Sequence, residues 1–173
     1  MAPESNGLQS FFEDVVTHCF RAHTPVEDPE LTGYVAGLLA HFSATEQLYP
    51  LQNAEGQPVR SLGLMLMASD PVHGRASSFD EERKMRKHIG DFALFSTGMY
   101  PESTHRYAED ATFTELVRTG KESYYIVSQF DLFEYAKEAA LFAKLTEQFD
   151  TCRYGLTKVS ETLNQMNGPK LLM

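Results

Sequence analysis

Apolar residues recur every three or four positions along much of this chain, which is the spacing of one face of an α-helix. The first such stretch begins at Leu8 and is stopped by Pro25, because proline lacks an amide donor and clashes with the preceding turn. A second helix opens at Asp28, a suitable N-cap, with Pro29 in the first helical position, and continues to Phe42. The apolar stripes are Phe11, Phe12, Val15, Val16, Cys19 and Phe20 in the first helix, and Leu31, Tyr34, Val35, Leu38, Leu39 and Phe42 in the second.

Small residues form one flank of the second predicted helix. Gly33, Ala36, Gly37 and Ala40 leave little side-chain bulk there, so another backbone could approach closely. We interpret this flank as a surface for close helix packing.

The middle of the chain contains two predicted connections and one short helix. Residues 50–58 are polar and broken by proline and glycine, which indicates a loop. Residues 59–68 favour a helix: Leu62, Leu64 and Leu66 alternate as in a strand, but Met65 and Met67 between them leave no polar face. Residues 69–78 are predicted to form the second, longer connection.

A capping-box spacing marks the start of the third long helix. Ser78 and Glu81 can each bond the other's free amide, and the helix is expected to end near Gly98. Its inward side chains are expected to be Met85, Ile89, Phe92 and Phe95.

Three further helices are predicted in the C-terminal third. An apolar series from Phe113 to Val127 passes through Gly120, which costs about 1 kcal/mol relative to alanine and is expected to bend or break that helix. A second capping-box spacing, at Asp131 and Glu134, precedes an alanine-rich helix. A last helix is expected over residues 155–166, ended by the Asn-Gly-Pro sequence at 167–169.

These patterns predict an all-α protein, a compact multi-helix bundle of six to seven helices. The sequence has no run of alternating β-branched residues and no internal repeat. A chain of 173 residues suits one domain, 1–173, and is long enough to close a hydrophobic core. An up-and-down bundle and a globin-like arrangement of crossing helices are both compatible with the helix faces.

The net charge limits the classes of partner, and the cysteines and the lack of a targeting signal indicate the compartment. Fifteen Lys and Arg against 24 Asp and Glu give a net charge of -9, which repels nucleic-acid phosphates and anionic lipids. We therefore expect no nucleic-acid partner and no membrane partner. Cys19 and Cys152 form no metal-ligand pair and are interpreted as reduced thiols. Without a secretory signal or an apolar run of about 18 residues, the protein is expected in the cytoplasm.

Two central segments resemble a known group of proteins. They are MRKHIGDFALFSTGMYPES at 85–103 and RTGKESYYIVSQ at 118–129. The Gly-Asp, Leu-Phe and Gly pattern, followed by a Gly and Tyr pattern, is similar to a bacterial family of uncharacterised helical proteins. The resemblance covers about the central third of the chain and implies an all-helical bacterial protein, with no activity to carry over.

The most prominent polar cluster is His88 with Asp91, one turn apart on the third long helix. Its simplest interpretation is a buried hydrogen-bonded pair, or an Asp91 that bonds the backbone beside Gly90. Alternatively, an imidazole and a carboxylate held against aromatic side chains could bind a ligand or begin a metal site.

A second candidate group is aromatic. Tyr124 and Tyr125, with Tyr100, His105 and Tyr107, could line a pocket that contacts a ligand through phenol and imidazole groups. Tyrosines at helical spacing are more often core or interface residues.

No established catalytic or nucleotide-binding motif is present, so the sequence does not favour an enzyme. The first hypothesis is a non-catalytic, cytoplasmic interaction or regulatory module that is homodimeric, with the Leu and Met side chains of residues 62–67 as an exposed patch. The alternative is a small-molecule or metal-binding protein, or an enzyme, with a pocket around His88 and Asp91. No cofactor and no resident metal is predicted.

Overall fold

The computed structural model describes residues 3–43, 49, 51, 53–58, 60–70, 78–131 and 133–166. These ranges form seven α-helices and two short 3-10 turns, with no β-strand among them, which confirms the predicted all-α fold. The helices are α1 Pro3–His23, α2 Pro29–Phe42, α3 Leu62–Ser69, α4 Phe79–Met99, α5 Phe113–Ser128, α6 Ala136–Glu147 and α7 Phe149–Gln165.

Helix α4 is the centre of the packing. Its C-terminal half, residues 89–99, is buried on every side, and α2, α3, α5 and α7 all pack against the helix. The two buried hydroxyls of this segment bond carbonyls of their own helix: Ser96 donates to the Phe92 carbonyl at 2.9 Å, and Thr97 to the Ala93 carbonyl at 2.6 Å. No buried hydroxyl of α4 is therefore left without an acceptor.

The hydrophobic core is one cluster with side chains from all seven helices, and aromatic rings dominate it. The largest fully buried side chains include Phe12, Phe20, Phe42, Phe92, Phe95, Tyr124, Phe142 and Phe149. Their edge-to-face contacts add to the free energy gained by burying apolar area. Both thiols also lie in this cluster, and burial raises the pKa of the Cys152 thiol to about 12.

The start of α2 confirms the predicted N-cap. Asp28 Oδ1 accepts hydrogen bonds from the amides of Glu30 and Leu31 at 3.0 and 3.4 Å. Lys144 of α6 donates to Asp28 Oδ2 at 2.6 Å, so the same carboxylate ties the N-terminus of α2 to α6. A reciprocal capping box joins Thr112 and Glu115 at the start of α5, where the sequence had predicted only the apolar series.

The predicted start of the last helix is wrong. Helix α7 begins at Phe149. Gln148 is both the C-cap residue of α6 and the N-cap residue of α7, and no proline or glycine marks this junction in the sequence. Phe149 and Cys152 belong to α7 and are fully buried. Gly155 lies in mid-helix, where its missing side chain leaves room for the ring of Phe20.

Two other expectations about helix boundaries are also corrected. Asp131 does not open α6, which starts at Ala136 after a 3-10 turn, Phe133–Tyr135. Gly120 does not break α5; a Cβ atom there would lie 2.6 Å from the Phe149 ring and 2.7 Å from the Cβ of Ala93, so close packing requires the glycine.

The remaining differences are small or fall outside the described residues. Helix α1 begins at Pro3, earlier than predicted, and Phe11 at the edge of its stripe is 39 % exposed. Helix α3 begins at Leu62, where Asp110 accepts hydrogen bonds from the amides of Leu62 and Gly63 at 2.8 and 3.0 Å. Most of the connection at 69–78 and the stop signal at 167–169 lie outside the described residues. In the described part of the chain, no helix is long and apolar enough to cross a membrane.

Candidate functional site

Polar side chains line one face of α4, from its exposed N-terminal half into the first turn of the buried half. Lys84, Lys87, His88 and Asp91 each lie three or four residues from two of the others, so a single helix face presents them. This face looks toward α2, and the two helices enclose a cleft.

Asp91 is the most constrained residue of this face. Its side chain is almost buried, and its Oδ1 accepts two hydrogen bonds at 2.6 Å, one from the hydroxyl of Tyr34 on α2 and one from that of Tyr124 on α5. The ammonium of Lys87 lies 3.6 Å from Oδ2. The carboxylate therefore joins three helices at one point.

The glycine that precedes Asp91 makes this arrangement possible. A Cβ atom at Gly90 would lie only 2.5 Å from two ring carbons of Tyr124. The Tyr124 ring is held from its other sides by Phe142 and Phe149, with ring centroids 5.6 and 5.9 Å away. The Gly-Asp pair thus gives the ring its space and its hydroxyl an acceptor.

Both phenols act as donors at neutral pH. Burial, reinforced by the negative charge of Asp91, raises the pKa of Tyr34 and of Tyr124 well above the ordinary value of 10. Because each phenol keeps its proton, Asp91 Oδ1 has two permanent partners. The two hydrogen bonds to Oδ1 hold the carboxylate in place in the wall of the cleft, and Oδ2 faces Lys87 at 3.6 Å.

The cleft between α2 and α4 has a volume of about 550 Å³. Its walls combine helix backbone, apolar side chains and ionisable side chains. The lining residues are Gly33, Tyr34, Gly37, Leu38, His41 and Phe42 from α2, and Lys84, Lys87, His88 and Asp91 from α4.

Gly33 of α2 faces open space, and Gly37 has one neighbouring side chain on α1. Within the described part of the chain, a Cβ atom at Gly33 would meet nothing within 4 Å beyond its own helix, and one at Gly37 would only touch the Gln9 amide at 3.8 Å. The expected close helix packing is therefore not found at Gly33, whereas Gly37 lies in ordinary van der Waals contact with Gln9 of α1. The two glycines leave a strip of helix backbone uncovered along one wall of the cleft.

The imidazole of His88 is oriented by aromatic rings. It meets Phe42 edge to face at a centroid distance of 5.8 Å, and it is tilted over Phe92 at 6.3 Å. The exposed His41 lies beside Phe42 on the opposite wall, at 5.2 Å. Each wall thus contributes one imidazole to the cleft.

The structure brings together some of the predicted site residues and separates others. His88 and Asp91 both line the cleft, and Tyr124 lies behind it as the partner of Asp91. Tyr125 is 56 % exposed and borders a different, shallow depression on α5. His105 lies exposed in the 3-10 turn Thr104–Arg106, away from the cleft.

The other two aromatic candidates pack with the core. Tyr100 and Tyr107 stack at a centroid distance of 5.3 Å, and both meet Phe95 edge to face. The predicted tyrosine pocket is therefore divided among three places in the fold. No group of three or more His, Cys, Asp or Glu side chains that could hold a metal ion occurs among the described residues.

Sequence reasoning missed Tyr34, Lys84 and Lys87. Tyr34 was counted only as part of the apolar stripe of α2, although its hydroxyl reaches Asp91. The two lysines lie one turn before His88 and Asp91 respectively, and this spacing could have identified them as neighbours of the cluster.

Comparisons of the chain with known protein families, with curated proteins and with solved structures find no match. The resemblance to a bacterial helical family therefore stays a prediction.

Proposed function

We propose that this protein binds a small organic molecule in the cleft between α2 and α4. The observation that supports it is the combination, in one cavity, of bare helix backbone at Gly33 and Gly37 with the fixed side chains of His88 and Asp91. The volume of about 550 Å³ lies in the range of ligand pockets, roughly 300 to 1,000 Å³.

The glycines distinguish this cleft from an ordinary groove between helices. Glycine inside a helix costs about 1 kcal/mol relative to alanine, so two of them weaken α2. Gly90 and Gly120 are explained by close packing, but Gly33 and Gly37 have no such explanation in the described structure. A ligand that lies directly on the backbone of α2 would use the space that they leave.

The site favours binding over catalysis. Asp91 accepts hydrogen bonds from two phenols on Oδ1 and has a lysine beside Oδ2, so its contacts join the helices around the cleft. The proposed role is that of a non-catalytic ligand-binding module.

A substitution that fills the cleft tests this function. Gly33→Leu is expected to leave the free energy of unfolding unchanged or to raise it by about 0.5–1 kcal/mol, because leucine is a good helix former and its Cβ meets no clash. The same substitution is expected to abolish binding of small organic fragments, detected in the wild type as shifts of the Gly33, Gly37 and His88 amide resonances.

The matched control is Gly7→Leu, which makes the same chemical change at an exposed, unobstructed position of α1. It should bind the same fragments as the wild type. Fragments that bind only elsewhere, or that keep their affinity in Gly33→Leu, would contradict the proposed function.

A second proposed function is the homodimeric interaction module. Its support is the outer face of α3, where Leu64 is 40 % and Met67 48 % exposed while Leu62 and Met65 are buried. Apolar side chains exposed together on one short helix are typical of a contact surface, and a second copy of this chain is the proposed partner.

Met67→Glu tests the dimer because it places a charge on that face. Light scattering during size exclusion is expected to give the mass of a dimer for the wild type and that of a monomer, 19.5 kDa, for the variant. Met166→Glu, at a position that is 54 % exposed after α7, is the matched control and should remain dimeric. A wild-type protein that elutes as a monomer at high concentration would contradict this second proposal.

A further inference from the structure

We propose that the ligand of the cleft between α2 and α4 is a small organic carboxylate with a compact apolar body. This inference rests on the proposed ligand-binding function and adds the charge and shape of the ligand. It follows from the surplus of cationic groups among the described residues of the cleft and from the contacts of Asp91.

Positive groups outnumber negative ones in the lining. Among the lining residues that the structure describes, Lys84 and Lys87 contribute two ammonium groups, and Asp91 contributes the single carboxylate. The exposed His41 adds an imidazole, which has an N–H donor. In a chain with a net charge of -9, such a group is a local site of attraction for an anion.

The single carboxylate is poorly placed to bind a cationic ligand. Oδ1 of Asp91 already accepts from Tyr34 and Tyr124, and Oδ2 faces Lys87. An amine bound at Oδ2 would lie beside the Lys87 ammonium, and the two positive charges would repel each other. A carboxylate meets no such repulsion from the lysines, and the Lys87 contact at 3.6 Å is long and leaves that ammonium donor capacity.

Lys84 provides the least engaged charge. It is exposed on the rim and makes no ion pair with any residue that the structure describes. Lys87, one turn of the same face away, lies over the ring of Tyr34 at 5.5 Å and is held nearer the floor of the cleft. The two ammonium groups define the end of the cleft at which the carboxylate of the ligand binds.

The α2 wall determines the shape of the apolar body. Leu38 and Phe42 are almost fully buried in the core and present apolar surface to the cleft, while Gly33 and Gly37 add flat backbone. A flat ring or a short unbranched chain can lie against such a strip, whereas a bulky branched group gains little contact there.

Two sets of probes with the same shape but different charge test the inference. Benzoate, benzamide and benzylamine form one set, and hexanoate, hexanamide and hexylamine the other. Titrations followed by the amide resonances of Gly33 and Gly37 are expected to show at least one carboxylate binding about tenfold more tightly than its amide, with its amine weaker still. Raising the salt concentration should weaken the binding of the carboxylate and leave the affinity for the amide unchanged.

Substitutions of the two lysines test whether their ammonium groups bind the carboxylate of the ligand. Lys84→Ala and Lys87→Gln are each expected to weaken carboxylate binding about fivefold to tenfold and to change amide binding less than twofold. Lys137→Ala, an exposed lysine on α6, is the control and should leave both affinities unchanged. Unfolding curves of all three variants should match the wild type, which separates a binding effect from misfolding.

The outcomes distinguish the carboxylate inference from the ligand-binding function on which it rests. If amides or amines shift the Gly33 and Gly37 resonances as strongly as carboxylates do, the carboxylate inference is overturned and the ligand-binding function stands. If no probe and no fragment shifts these resonances, both are overturned.

Discussion

Replacing Asp91 with alanine is expected to lower the free energy of unfolding by about 3 kcal/mol, because one fully buried and one partly buried phenol donor lose their shared acceptor. Tyr124 is fully buried, so its hydroxyl cannot turn to water instead. Since the chain contains no tryptophan, urea unfolding is best followed by circular dichroism at the helical band. Asp14→Ala, on the exposed side of α1, is the control and should change stability by less than about 0.5 kcal/mol.

A double-mutant cycle shows whether the loss comes from the stranded hydroxyl. Tyr124→Phe alone removes one hydrogen bond to Asp91 and should cost about 1 kcal/mol. In the Asp91→Ala background the same substitution removes a donor that already lacks its partner, so it should cost nothing or restore stability. Equal costs in the two backgrounds would show that the Asp91 bond does not hold the tyrosine.

Gly90→Ala is expected to destabilise the protein by at least about 2 kcal/mol, although alanine is the better helix former. The added methyl would lie 2.5 Å from the Tyr124 ring, which cannot retreat because Asp91, Phe142 and Phe149 hold it. The same methyl meets no obstacle at Gly33, so Gly33→Ala should stabilise the protein by about 0.5–1 kcal/mol.

Opposite signs at these two glycines are the strongest stability test of the packing described here, because the chemical change is identical. Urea unfolding of both variants measures it. If Gly33→Ala were as destabilising as Gly90→Ala, the α2 wall would be packed against something and the cleft would not be open in solution.

The sequence predicted those helix boundaries that a capping residue or a proline determines locally. A proline break, the Asp28 cap and the Ser78 cap located the end of α1 and the starts of α2 and α4 to within a residue or two. The α6–α7 junction could not be predicted, because Gln148 carries no turn signal and the break depends on how Phe149 packs into the core. Tertiary packing decided that boundary.

In the candidate site, too, the sequence predicted what local helical spacing determines and missed what tertiary packing determines. The spacing of His88 and Asp91 predicted that they share a face, since helical geometry determines it. That Tyr34 and Tyr124 meet at Asp91 depends on how α2 and α5 pack around α4, which no local pattern encodes. Gly33 and Gly90 look alike in the sequence, but open space surrounds one and an aromatic ring fills the other.

A crystal structure of the protein soaked with benzoate or hexanoate tests the central claim most directly. We predict ordered density on the backbone of Gly33 and Gly37, with the carboxylate within hydrogen-bond distance of Lys84 or Lys87. An α2 wall covered by the protein's own side chains, with the probe bound only elsewhere, would contradict it.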